Sequence, residues 1–186
     1  MEINLSGQRA IVTGASTGIG RATAIALAEA GADVAVHYGS SRQEAEETAR
    51  AIESHGRRAV IVQGDFRDPE ATRKSVEAAV IELGAPIDVL VNNAGSMVKR
   101  NPIEEMDEAL WQEVIALNLS SVFFATKAAL PHLGPGARIV NVSSIAARHG
   151  GGPGAHHLVL RLAHPRLSDY NETVRQLLAS ARVPGT

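Results

Sequence analysis

The chain has 186 residues, 18 basic and 20 acidic side chains, a net charge of -2, 45% hydrophobic residues and no cysteine. That is enough to bury the core of one domain, without the basic excess that marks nucleic-acid or anionic-lipid binding. Zero cysteine excludes a disulfide framework, a thiolate zinc site and a cysteine nucleophile.

Short apolar runs alternate with helical patterns along the chain. Residues 9–13 read as a buried strand, and residues 20–30 as an Ala-rich helix stopped by Gly31. A second strand spans Asp33 to Tyr38, and a polar helix follows from Arg42 to Ser54. The third strand is Ala59 to Gln63, with a helix around Ala71 to Leu83. The fourth strand is Ile87 to Asn92, and helices follow between Ile103 and His132. Arg138 to Ser143 is the fifth strand. Continuous apolar strands alternating with helices predict an α/β fold with a parallel sheet covered on both faces. Right-handed crossovers make that sheet doubly wound. No apolar run approaches the roughly 18 residues of a membrane span. The opening Met-Glu-Ile-Asn-Leu lacks a charged leader followed by an apolar stretch. The expected location is cytoplasmic, with no nucleic-acid or membrane partner.

The first strand runs into Thr13-Gly14-Ala15-Ser16-Thr17-Gly18-Ile19-Gly20. A pyrophosphate needs backbone N–H groups aimed at it with no Cβ in the way. Gly14 suits the tight turn. Gly18 and Gly20 suit close approach at a helix N-terminus, whose dipole favours an anion. Ser16 and Thr17 can add hydroxyl donors. A merely tight strand-to-helix turn would use glycine too. The strand before the loop and the helix after it favour phosphate binding.

The spacing is Gly-x-x-x-Gly-x-Gly, and with it the chain resembles the short-chain dehydrogenase/reductase family. Further elements match in order over roughly the first 155 residues, closest to acyl-carrier-protein ketoreductases and related dehydrogenases. The resemblance implies a Rossmann-type fold, incomplete on its C-terminal side, with a dinucleotide held by Gly14, Ser16, Thr17, Gly18, Ile19, Gly20 and Arg21. Asp65 and Phe66 fall where the family contacts the adenine. Asn92-Asn93-Ala94-Gly95 matches an element that braces the sheet beside the cofactor, which assigns Asn92, Ala94 and Gly95 to the site. Asn118 matches the active-site asparagine, and Ser144, the second of a serine pair, matches the catalytic serine. The implied function is NAD(P)-dependent oxidation or reduction of a carbonyl or secondary alcohol.

An acidic residue at the end of the second strand would bind a ribose 2′-OH and repel a 2′-phosphate. Here the chain offers His37, Tyr38, Gly39, Ser40, Ser41 and Arg42, with no carboxylate. Tyr38, Ser40 and Arg42 therefore join the expected site, with Arg21 as a second cation, and NADP is favoured over NAD. His37 reads as a structural strand residue, and no metal site is expected.

The family pattern also places a Tyr-x-x-x-Lys pair about thirteen residues beyond Ser144. The sequence has His157 and Arg161 there, and its only tyrosines are Tyr38 and Tyr170. Residues 156–186 read as a divergent tail, with a helix from Ser168 or Asp169 through Ala179, after a binding domain over residues 1–155. The alternative functions are therefore an inactive nucleotide-binding or subunit-partner protein, or a truncated gene product. The fifth strand becomes an exposed edge unless the tail covers it, and a homo-oligomer is expected.

Overall fold

The five apolar runs form one parallel sheet, seen in a computed structural model that describes residues 3–99 and 101–144. Its strands are β1 (Arg9–Val12), β2 (Asp33–Tyr38), β3 (Ala59–Gln63), β4 (Ile87–Asn92) and β5 (Leu133–Asn141), in the order β3-β2-β1-β4-β5. The helices are α1 (Gly18–Glu29), α2 (Arg42–Ser54), α3 (Pro69–Leu83), α4 (Glu108–Ile115) and α5 (Ser121–Ala129). A π-helical turn, Ala116–Ser120, joins α4 to α5. This is the Rossmann-type doubly wound architecture expected from the sequence.

The described residues fall into two compact units. The first, residues 3–96 and 112–142, holds the whole sheet. The second contributes residues 97–99, 101–111 and 143–144. The expected boundary after residue 155, the histidines 156 and 157, Arg161, Tyr170 and the tail helix all lie outside the described residues.

The period-2 geometry of a strand sends alternate residues to opposite faces. Along β1, Ala10 and Val12 join a core with Ala24 and Ala28 of α1 and Ala45 and Ile52 of α2. Ile11 joins the other core, with Val76, Ala79 and Val80 of α3 and Ala125 and Ala129 of α5. Both faces of the central strands are thus covered, which is why the runs are continuously apolar.

Register places the loops that matter. Val12 pairs with Val36 on one side and with Val91 on the other. Thr13, His37 and Asn92 therefore stand side by side at the C-terminal ends of three adjacent strands. The chain departs from β1 in both directions, so this is the topological switch point where α/β sheets bind ligands.

Three local features depart from the sequence reading. α3 starts at Pro69, ahead of Ala71, because Asp68 caps it by accepting the Glu70 N–H and proline suits the first turn. β5 starts at Leu133, through a Pro-Gly stretch that reads as a turn. Leu133 pairs with Ile87, and a register shift between Ile87 and Val89 absorbs the irregularity, as an edge strand permits. The third is the region of α4 and α5, where the sequence reading expects no apolar run of membrane-span length. The helical run Glu108–His132 is 25 residues, long and apolar enough to cross a membrane by length and composition alone. Its isolated charges, such as Glu113 and Lys127, interrupt the apolar runs without making the stretch polar on average. In this fold Val114, Ser121, Ala125, Thr126 and Ala129 of that run are buried, as in a helix laid on a sheet. Among the described residues β5 is an edge strand, with Val140 and Val142 exposed, and the tail expected to decide its cover lies outside them.

Candidate functional site

The glycine loop is held from behind by side chains of three other elements. Thr13 Oγ1 accepts the backbone N–H groups of both Asn93 and Ala94 at 2.9 Å. Asn93 returns the contact, its Nδ2 donating to the carbonyls of Thr13 and Gly14 at 2.9 and 3.0 Å. From β2, His37 Nδ1 accepts the Gly14 N–H at 3.0 Å, and the His37 carbonyl accepts the Ala15 N–H at 2.8 Å. From α2, Thr48 Oγ1 lies 3.3 Å from the Ser16 carbonyl and donates to Glu44 at 2.9 Å. The loop conformation is thus set before any ligand arrives.

The three glycines do different work. Gly14 has φ +63°, which L side chains rarely adopt, and a Cβ there would stand 2.9 Å from the Ala94 Cα. A Cβ at Gly20 would stand 2.2 Å from the Gly14 carbonyl oxygen and 2.4 Å from Asn93 Nδ2. Gly20 therefore serves the packing of α1 against the loop. Gly18 has φ +56° and nothing within 4 Å of its Cβ position. That glycine faces open space.

The start of α1 suits an anion. Thr17 is the N-cap residue, yet its side chain makes no capping bond, and no acidic residue stands in the first turn. The helix-start N–H groups and the positive end of the dipole are left without side-chain compensation. α3 is the contrast, with Asp68 and Glu70 neutralising the same feature. Ile19 is 66% exposed beside this opening. Backbone donors, an open approach and no carboxylate fit a pyrophosphate.

The other expected residues fall as follows. Arg21 Nη1 pairs with Glu47 of α2 at 3.2 Å, so it ties two helices together. Arg42 is exposed and pairs with Glu46 at 2.9 Å, one helical turn away. Ser40 is exposed, whereas Tyr38 is buried in the core. Asp65 is exposed and gripped by Arg67, whose Nη2 reaches Oδ2 at 2.6 Å and whose Nε and backbone N–H reach Oδ1 at 2.9 and 3.0 Å. The Arg67 side chain, then its backbone N–H, hold the Asp65 carboxyl below its usual range. Arg67 in turn reaches Glu113 of α4. Phe66 is buried, its ring stacked on His37 at 3.8 Å.

Asn92 is also interior. Its Nδ2 donates to Thr126 Oγ1 at 3.1 Å and to Asn141 Oδ1 at 2.9 Å, binding β4 to α5 and β5. Asn118 lies in the π-helical turn, an irregularity common at functional sites. Its Nδ2 donates to the carbonyls of Ser96 and Val114, and its Oδ1 accepts the Ser96 N–H. A Cβ at Gly95 would stand 2.9 Å from that Oδ1. The Asn118 side chain thus fastens the Ala94–Ser96 segment. Ser144 is exposed, three residues beyond β5.

Thr13 and Asn93 carry the junction, yet neither reads from local sequence as more than part of a motif. Replacing Thr13 by isosteric valine is expected to orphan two backbone donors, each costing about 1–3 kcal/mol. Denaturant unfolding of the two proteins would measure the loss.

A family model for short chain dehydrogenases matches residues 8–156. The chain belongs to the short-chain dehydrogenase family. Among relatives of this family, the short-chain dehydrogenase/reductase FrzI of Cladobotryum sp is 43% identical over 147 residues, covering 79% of this chain and 56% of the relative. A short chain dehydrogenase from Burkholderia cenocepacia J2315, solved in complex with NADP, superposes with a TM-score of 0.87 at 35% identity. That match covers 95% of this chain and 71% of the other. A blue fluorescent protein from a metagenomic library, in complex with NADPH, matches with a TM-score of 0.75 at 38% identity, over 87% of this chain and 70% of the other. This short-chain dehydrogenase chain spans about half the length of the curated relatives it matches.

Proposed function

We propose that the chain binds a nicotinamide dinucleotide at the C-terminal ends of β1, β2 and β4, with NADP preferred to NAD. We further propose that it serves an oxidoreductase acting on a carbonyl or secondary alcohol. The observation that carries the binding reading is the start of α1: uncapped by side chains, free of acid in its first turn, and reached through a pre-formed glycine loop. Family membership and neighbours solved with NADP and NADPH support it.

The preference for NADP rests on Arg42 and Ser40. No carboxylate stands between Tyr38 and Arg42. Arg21 pairs with Glu47 and Arg42 with Glu46, and Arg42 is the more exposed of the two cations available to a 2′-phosphate. Its exposed pair with Glu46 is weak, so a doubly charged phosphate can displace it. Calorimetric titration with NADPH and NADH tests this. Arg42→Ala is expected to weaken NADPH about tenfold, a loss of about 1.4 kcal/mol, and to leave NADH within about twofold. Equal weakening of both would reject the role of Arg42. No binding of either would reject the dinucleotide reading itself.

When bound, the nicotinamide would supply or accept the hydride. Of this chain's residues, Ser144 would hold the substrate oxygen, and Asn118 would keep the Ala94–Ser96 segment in place. A second reading, binding without turnover, is favoured by the sequence, which contains no Tyr-x-x-x-Lys. Nicotinamide absorbance with a panel of ketones and secondary alcohols separates the two readings in a sample that binds. Leu119, on the turn joining α4 to α5, and Phe123 of α5 are exposed. They support a homo-oligomer, which sedimentation would test.

A further inference from the structure

We infer that His37 is a positioning residue for dinucleotide binding: both ring nitrogens are used to fix the glycine loop after β1 against the loop after β3. The inference rests on the dinucleotide reading above. His37 is 2% exposed. On one side its Nδ1 takes the Gly14 N–H at 3.0 Å, and on the other its Nε2 stands 3.0 Å from the Gly64 carbonyl. These bonds allow a single ring state. Nδ1 must be bare to accept from Gly14, so Nε2 carries the proton and donates to Gly64. The other neutral tautomer would set N–H against N–H at Gly14. The Phe66 ring, 3.8 Å away with 29° between planes, holds the imidazole in that orientation.

The two loops it joins are the two ends of the candidate site. Gly14 carries the left-handed turn that aims the chain into α1. Gly64 precedes Asp65, the residue matched to the adenine end. Asn93 grips the glycine loop from β4, and Thr48 lies against it from α2. His37 adds a direct link from that loop to the loop after β3. A histidine that merely fills the core would be replaceable by another flat ring without change in affinity. A positioning histidine is not, because phenylalanine keeps the stack on Phe66 but leaves the Gly14 N–H and the Gly64 carbonyl unpaired.

The test uses the full chain, His37→Phe and His37→Gln, whose amide offers one acceptor and one donor. Calorimetric titration with NADPH is paired with amide exchange at Gly14, referenced to Ile11 in β1. The phenylalanine variant is expected to bind at least tenfold more weakly and to exchange Gly14 at least tenfold faster, with Ile11 unchanged. Glutamine is expected to recover most of both losses. A folded His37→Phe protein that binds within twofold of the original overturns the inference, and so does an equal loss in both variants. If the phenylalanine variant does not fold, the imidazole nitrogen shifts of the original chain decide. An unprotonated Nδ1 supports the inference, and a protonated one overturns it. If the original chain binds no dinucleotide, the dinucleotide reading fails by itself, and Gly14 exchange alone judges the positioning of the loop.

Discussion

Replacing Gly20 by alanine is expected to abolish tight dinucleotide binding while leaving the sheet folded. The added Cβ would stand 2.2 Å from the Gly14 carbonyl oxygen and 2.4 Å from Asn93 Nδ2. Neither neighbour can yield cheaply. The oxygen is backbone in a loop bonded to His37 and Asn93, and the amide is the group that holds that loop. α1 must therefore move away from the loop, carrying its N-terminus out of line with the bound phosphates. Overpacking of this kind costs about 1–3 kcal/mol in stability, a fall of roughly 2–4 °C in melting temperature for each kcal/mol. NADPH affinity is expected to fall about 100-fold, or about 2.7 kcal/mol. Gly18→Ala is the control for stability alone, because Gly18 itself belongs to the expected phosphate site. Its Cβ meets nothing within 4 Å, and only the φ of +56° resists it, at about 1–2 kcal/mol. Titration of Gly20→Ala and thermal melting of both variants check this. A Gly20→Ala protein with unchanged affinity would sink the assignment of Gly20 to loop packing.

Acidification is expected to weaken the fold well before most carboxylates titrate. Burial pushes the His37 pKa from 6.5 down to about 4, partly opposed by its bond to the Gly64 carbonyl. The ring faces Phe66 and two backbone groups, and Asp65 beside Phe66 has its carboxylate turned to Arg67. As pH falls below 6.5 the unfolded chain takes up this proton first. The folded chain takes it up only near 4. Between those values the unfolded state binds more protons, so stability drops with falling pH. The contribution is fully present above 6.5 and is lost as pH falls through about 4, with an upper bound of about 3 kcal/mol. Denaturant unfolding between pH 7 and 4.5 measures it. His37→Phe is expected to lower stability at pH 7 and to flatten its pH dependence across this window. Equal slopes in the two proteins would show that His37 does not carry the acid response.

The elements whose signals are local were legible from residues alone. The β-branched runs marked β2, β3 and β4, and alternation with helices fixed a parallel sheet, because each signal spans only a few neighbours. The glycine loop was legible for the same reason, since its meaning lies in one strand, one turn and one helix start. Asn118 and Ser144 came from motif order. β5 was misjudged at its start because Pro-Gly favours a turn locally, while pairing to β4 decides the matter.

The sequence by itself determined the order of strands and helices, the glycine loop after β1, the absence of an acid at the end of β2, and the missing Tyr-x-x-x-Lys. Tertiary structure decided what holds the site. Thr13 meets Ala94 across 81 positions, His37 meets Gly14 across 23, and Asn118 meets Ser96 across 22. It also decided that Arg21 pairs with Glu47, with Arg42 the more exposed, and that Gly20 has no room for a Cβ against its neighbours. The reason is physical. Propensity and periodicity act between residues a few positions apart, whereas a hydrogen bond or a steric limit depends on which strands lie side by side. Only the order β3-β2-β1-β4-β5 brings Thr13, His37 and Asn93 to one end of the sheet.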